Sequence, residues 1–519
     1  MVVFSFVGKK LEQLCNNMSS SCRFLCFIVL HFYHYVVRRI NHFSIEVFYF
    51  LFISFCGFLI LDATDPRTTI LTPRKFDIFF TSVSAATVSS MSVVEMEVFS
   101  NTQLIVITIL MFIGGEVFTS MVGLLLRGFS RHSSIKQGGR VNDSMSDLGI
   151  PPNLHDQLEL GTIANPELEI SRSDIFDFGY DPEHVLHTDD LKFKSIKFLG
   201  LLVLGYLFFV QVLGVASVFV YMNVISSAKN VLKQKGIKSF TFSLFTIVST
   251  FASCGFVPTN ENMIVFRKNT GLLLILIPQI LLGNTLYPSA LRFSIWAIGK
   301  FKKKAETSYL LNNTKEIRFH HFLSQKHSSF LVVTVFVFIL VQFILFSSME
   351  WTSGSLSGMN NYEKFVGAMF QIINTRHTGE TIVDLTTIAA ASLVLIVVMM
   401  YLPPYTSFLP LSLNKSGKRN SDQRKKKSTR VLLDNIIFSQ LSYLVIFVIL
   451  VCITERKKIK EDPLNFNVLN IVVEVISAYG NVGFTTGYNC DYRLKQDGIC
   501  ENKWLKKFNM NGGKAWKLL

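Results

Sequence analysis

Four short turns hold the residue types from which an ion path could be built. They read Thr87-Val88-Ser89-Ser90-Met91, Ala252-Ser253-Cys254-Gly255-Phe256, Arg376-His377-Thr378-Gly379-Glu380 and Asn481-Val482-Gly483-Phe484. At one common point stand Gly255, Gly379 and Gly483, with Ser90 in the first turn. Several consecutive carbonyls can face a cation only if the backbone takes unusual dihedral angles, which a residue without a Cβ adopts most easily. Val88, Ser89, Ser253, Cys254, Thr378 and Val482 are the flanking candidates for such a filter. A single glycine turn in an apolar protein marks close helix packing just as well. Four, each after a short semi-polar stretch, are much harder to explain that way.

The surrounding elements must hold these turns at one depth. Seven long apolar segments, roughly 44–61, 103–126, 196–221, 270–298, 329–348, 386–410 and 436–454, have the length of membrane spans. Shorter semi-polar stretches recur at 76–90, 240–254, 362–378 and 466–482. The order is span, short re-entrant helix, loop, span, and its recurrence means internal repeats. Irregular backbone at membrane depth is tolerated where it is buried or lines a wet cavity. The sequence therefore predicts an all-α membrane protein with four span–pore helix–span repeats around a central pore. The boundaries are an interfacial, cytoplasmic N-terminus 1–43, repeat 1 at 44–127, a linker 128–195, repeat 2 at 196–299 and a linker 300–328. Repeat 3 follows at 329–410, then a basic linker 411–433, an incomplete repeat 4 at 434–490 and a polar tail 491–519.

Composition agrees. Half of the 519 residues are hydrophobic and 17% are charged, below the quarter usual in soluble proteins. The net charge of +15 sits in polar gaps, as at Lys302, Lys303 and Lys304 or Arg424, Lys425, Lys426 and Lys427. That is the pattern of cytoplasmic loops in a bilayer and argues against nucleic acid as a partner. Lys9, Lys10, Arg38 and Arg39 put the N-terminus and the three linkers inside, with the short stretches dipping in from outside. Arg456, Lys457, Lys458 and Lys460 disagree with this assignment. The linkers read as solvated. Cys490 and Cys500 flank an outer loop, where a disulfide can form. Gly8-Lys9-Lys10 and Gly417-Lys418-Arg419 lack the spacing of a nucleotide-binding loop, and no nucleophile–base pair or metal cluster stands outside the turns. No enzymatic role, cofactor or resident metal is expected.

The sequence resembles the plant high-affinity potassium transporter (HKT) family of the Trk/Ktr/HKT superfamily. The matching pieces are Phe80-Thr81-Ser82-Val83-Ser84-Ala85, Glu95 to Leu104 and Gly114-Gly115-Glu116 in repeat 1, and Cys254 to Asn262 in repeat 2. Asn374 to Thr381 matches repeat 3 and Ser477 to Tyr488 repeat 4. The resemblance spans about residues 44–490 and implies four repeats around one permeation path in the plasma membrane. Serine at the first filter position, Ser90, resembles the sodium-selective branch. Ser253 replaces an asparagine common in relatives and adds no charge.

Positive φ costs a serine ~1–2 kcal/mol, so Ser90 is expected to relax and take its carbonyl out of the ring. Glu116 in the second span is a functional candidate or a structural partner of a basic residue, and the sequence leaves both open. Arg376 and His377 are expected to brace the third loop, because a positive side chain repels a cation. Pro403 and Pro404 should break the sixth span, as a kink or as a gating constriction at the inner mouth. After Gly483 no further apolar run follows, and Lys503, Lys506, Lys507 and Lys514 make the tail too polar to cross. One span near Trp504 is missing by this reading. Three readings follow: passive sodium transport through a four-loop filter, potassium or sodium–potassium transport, and a non-conducting variant acting as an interaction or regulatory protein. Sodium, or potassium, and the lipid bilayer are the expected partners, and a homo-oligomer is compatible with the sequence.

Overall fold

The computed structural model describes residues 42–67, 73–138, 182–302, 304–317, 319–407 and 440–487. The stretch 24–37 expected to be interfacial, linker residues 139–181 and 408–439, Cys490, Cys500 and the tail from which a span was expected to be missing lie outside the described residues. Within them every regular element is helical. In chain order the helices are α1 (His42–Asp62), α2 (Lys75–Ala86), α3 (Asn101–Gly114), α4 (Glu116–Gly138), α5 (Pro182–Val224), α6 (Ser226–Gln234) and α7 (Ser239–Phe251). They continue with α8 (Thr270–Gly283), α9 (Tyr287–Lys302), α10 (Ala305–Asn312), α11 (Thr314–Ile317), α12 (Gln325–Glu350) and α13 (Asn361–Asn374). The last are α14 (Ala390–Tyr401), α15 (Gln440–Thr454), α16 (Arg456–Glu461) and α17 (Val468–Tyr479).

α1, the 191–224 part of α5, and α12 are long and apolar enough to cross a bilayer. Their outward faces carry bare Phe48, Phe52, Phe209, Val212, Phe336 and Leu340. In water such faces would be covered, whereas lipid tails accept them. α2, α7, α13 and α17 are the four expected short helices, and each packs against neighbouring helices. Polar caps fix their starts where the sequence allows it. The Asn360 amide N–H donates to Glu363 Oε2 (2.8 Å) at α13, and Asn467 Oδ1 accepts from Asn470 N (2.7 Å) at α17. α7 is buried along nearly all its length, with Phe242, Phe245 and Phe251 in the interior.

Three expected spans differ in shape. Segment 103–126 is two helices, α3 and α4, bent by 52°, and 270–298 is α8 and α9, bent by 82°. Both breaks fall at glycines against the end of a short helix. A Cβ on Gly114 would lie 1.8 Å from the Ala86 carbonyl oxygen, and one on Gly283 would lie 2.1 Å from that of Phe251. The third, 386–410, is a helix only over 390–401, because a turn at Asp384–Thr387 precedes it and Pro403 and Pro404 follow it. Linker 300–328 is likewise packed rather than solvated: Leu310, Ile317 and Phe322 are buried against α4, α5 and α9.

Gly283→Ala is therefore expected to lower the melting temperature of the detergent-purified protein by several degrees, as overpacking costs ~1–3 kcal/mol. Gly205→Ala in α5, with open space around its Cβ position, should leave it unchanged. Equal melting of both variants would show that the helix break does not depend on this contact.

Candidate ion path

Three of the four short helices end alike. In the first, Val88 N–H donates to Ala85 O (3.3 Å) and Ser89 N–H to Ser84 O (3.0 Å). In the second, Ser253 and Cys254 donate to Thr250 and Ser249, and in the fourth Asn481 and Val482 donate to Ala478 and Ser477. This pair of bonds closes a helix through a residue at positive φ. That residue is Val88 (φ 53°), Ser253 (60°) or Asn481 (53°). Two positions on, φ is positive again at Ser90 (63°), Gly255 (69°), Gly379 (67°) and Gly483 (92°). Alternating left- and right-handed residues turn successive carbonyls toward one side, as a filter wall requires.

Ser90 does not relax. It holds the same left-handed conformation as the three glycines, so its backbone stays in register and it differs only by its side chain. The surrounding loops over-determine this angle, which an isolated serine would avoid. Ser90 Oγ donates to the Ser253 carbonyl at 3.5 Å, and the Cys254 thiol is within hydrogen-bonding reach of the Ser90 and Phe256 backbone. Ser89 Oγ bonds Ser84 Oγ at 2.9 Å, and Ser84 Oγ accepts from Met91 N at 3.0 Å.

The third turn is built differently. His377 keeps an ordinary φ, and its Nδ1 sits 2.6 Å from the Ile373 carbonyl. That carbonyl occupies the place that a backbone N–H satisfies in the other three turns. His377 Nε2 meets Thr285 Oγ1 (2.9 Å) at the α8–α9 break. Arg376 Nη2 donates to the Pro403 carbonyl (2.7 Å), and its guanidinium stacks over Phe338. Both residues brace the loop. Thr378 Oγ1 bonds Asn374 Oδ1, and Val482 is buried.

The turns meet in a closed ring. A Cβ on Gly255 would lie 1.6 Å from the Thr378 carbonyl oxygen, and one on Gly379 would lie 2.5 Å from the carbonyl carbon of Gly483. A Cβ on Gly483 would lie 2.5 Å from Ser90 Cβ. Ser90 therefore fills space that Gly483 leaves.

A cavity opens on each side. One, of about 320 Å³, is lined by Thr87, Ala252, Arg376 and Gly480, the residues three before the ring in all four loops. The other, of about 80 Å³, is lined by Ser90, Gly255 and Gly483 together with Glu95, Asn260 and Thr485. Glu116 does not lie inside a continuous span. It begins α4 at the break, lines the larger cavity with an exposed side chain, and approaches His321 Nε2 of the 300–328 linker at 3.6 Å. Pro404 lines the same cavity.

Residues 183–497 match the family TrkH, cation transport protein. The chain belongs to the HKT group of that family. It is 45% identical to the sodium transporter HKT1 of Arabidopsis thaliana, over 88% of this chain and 91% of the relative. Two proteins of Oryza sativa subsp. japonica are similar in the same way. The cation transporter HKT1;3 is 43% identical, over 92% of each chain, and the probable cation transporter HKT1;4 is 42% identical, over 92% of this chain and 97% of its own length.

Several supports escaped the sequence reading. Glu380 Oε1 accepts from Thr250 Oγ1 (2.5 Å), Asn262 Oδ1 from Thr381 N (3.2 Å), and Glu474 Oε1 from Thr486 N (2.9 Å). Ser84 and Ser477 both stand six residues before the ring, and Ser477 Oγ accepts from Gly483 N (3.1 Å). That recurrence was visible in the sequence and was the available signal.

His377→Ala is expected to lower stability by ~2–6 kcal/mol, since it strands two buried groups at ~1–3 each. A melting curve of the purified protein checks it, and an unchanged midpoint refutes the bracing role. Gly483→Ala should be destabilising in the wild-type chain and milder beside Ser90→Gly, with a coupling of about 1 kcal/mol. Additive effects would show that Ser90 and Gly483 do not share this space.

Proposed function

We propose that the chain carries sodium passively across the plasma membrane, along a path through the ring of Ser90, Gly255, Gly379 and Gly483. The observation that supports this reading best is the ring itself: four left-handed residues, one per loop, between two cavities. On this reading the chain consists of four repeats, the ring is the selectivity filter, and its flanking residues are Val88, Ser89, Ser253, Cys254, Thr378 and Val482. The small cavity is the outer mouth and the large one the inner. Pro403 and Pro404, tied to Arg376, form the inner constriction.

Selectivity follows from the Ser90 side chain rather than from a lost carbonyl. Its Cβ fills the gap beside Gly483, and its hydroxyl draws on the Ser253 carbonyl. A ring tightened on one side is a poorer cage for potassium, which needs its hydration shell replaced on all sides. The smaller sodium ion suits it better, in keeping with the Arabidopsis relative, a sodium transporter.

Two-electrode recording tests the proposal, with external sodium and potassium exchanged. Two forms are compared: the 519-residue chain and a version with an apolar span inserted at Trp504. Sodium is expected to set the reversal potential, with larger currents from the second form because the fourth loop then gains its outer wall. Ser90→Gly should admit potassium, and Gly255→Arg should abolish current. Reversal potentials that track potassium as closely as sodium would overturn the selectivity. No sodium-carried current in either form would overturn the function.

A further inference from the structure

The larger cavity has a part that an inorganic cation does not need. Besides the residues three before the ring, its wall contains Phe50 of α1, Phe112 of α3, Phe118 of α4 and Leu207 of α5, together with Glu116 and Gln211. The break between α3 and α4 brings Phe112 and Phe118, one from each side of it, to 5.3 Å between ring centroids. One wall therefore holds aromatic rings, a carboxylate and a side-chain amide.

Glu116 keeps its charge there. Its ionic contact is His321 Nε2 at 3.6 Å. His321 Nδ1 shares a hydrogen bond with the Tyr405 hydroxyl (2.9 Å). Burial pushes the His321 imidazole down to about 4, and the neighbouring His320 pushes the same way. At neutral pH the ring is uncharged and does not neutralise the carboxylate. Arg376 lines the same cavity, but its guanidinium lies on the Pro403 carbonyl and the Phe338 ring and makes no ion pair with Glu116. Gln211 is only 7% exposed, and its Oε1 has no hydrogen-bond partner among the described residues. A buried acceptor left in that state costs ~1–3 kcal/mol, which a donating guest can recover.

We infer that this part of the cavity binds a small organic ammonium ion, a protonated primary alkylamine or arylalkylamine. Glu116 takes the ammonium group, Gln211 is a further acceptor, and the hydrocarbon body lies against Phe50, Phe112 and Phe118. A primary ammonium brings three N–H donors and a positive charge, which answers both acceptors. Aromatic faces attract such a cation and also accept its apolar body. A volume of about 320 Å³ is within the range of small-molecule pockets. Sodium gains nothing from the rings, and a neutral alcohol gains nothing from the carboxylate. A guest held here stands in the space that a cation must cross, so it blocks current. Binding stands by itself, whereas block rests on the reading of the ring as a conduction path.

The probe is hexylammonium, with 1-hexanol as its uncharged counterpart. Hexylammonium is expected to raise the melting temperature of the detergent-purified protein saturably at constant sodium, and hexanol is not. In excised-patch recordings of whichever form conducts, hexylammonium on the inner side should reduce sodium current. More inner sodium should weaken that block. Glu116→Gln should weaken binding about tenfold, equivalent to ~1.4 kcal/mol. Phe112→Leu and Gln211→Leu should each weaken it about threefold, the worth of one cation–π contact or one hydrogen bond.

If a variant fails to purify as a monodisperse protein, the comparison of hexylammonium with hexanol on the wild-type chain still decides. Equal effects of the two probes would reduce the site to apolar partition and overturn it. Unchanged affinity in Glu116→Gln would overturn it as well, as would no stabilisation by hexylammonium. Stabilisation without block would support the site and count against the cavity as part of the conduction path.

Discussion

The whole arrangement depends on backbone meeting backbone where side chains would normally keep loops apart. The Thr378 carbonyl lies where a Cβ of Gly255 would be, and the Gly379 and Gly483 backbones touch in the same manner. Such approaches are stable only if each loop leaves its helix on a fixed trajectory. The paired bonds at the ends of α2, α7 and α17 supply that trajectory, and His377 supplies it at α13. The glycine-backed breaks at Gly114 and Gly283 then let the long helices run close beneath the short ones. Remove the close approaches and neither the ring nor the bends has a reason to form.

Much of this was legible in the sequence. The four short helices fall within a few residues of their predicted places, because semi-polar stretches between long apolar runs have few other ways to be buried. The ring positions were legible because glycine at a repeated point signals a backbone that other residues resist. Arg376 and His377 were expected to brace their loop, and each holds a carbonyl there, Arg376 that of Pro403 and His377 that of Ile373.

What the sequence hid was set by distant contacts. Gly114 and Gly283 sit inside apolar runs that read as unbroken, and the carbonyls that force the bends belong to Ala86 and Phe251. Ser90 was misread because its φ was weighed as a local cost, while the neighbouring loops decide it. Linker 300–328 looked solvated because its apolar residues, Leu310, Ile317 and Phe322 among them, show no clear period. They are buried by α4, α5 and α9 all the same.

The ends of the four short helices have an electrostatic consequence. Each helix presents its carbonyl end to the larger cavity, and a helix C-terminus acts as about half a negative charge. Four such ends converge on one space, so the backbone alone contributes about two units of negative charge there. Part of that is offset by Arg376, whose guanidinium is drawn aside onto the Pro403 carbonyl. The larger cavity is thus made hospitable to a cation by peptide dipoles as well as by the Glu116 carboxylate, and mutating side chains cannot remove the dipolar part without unwinding the helices.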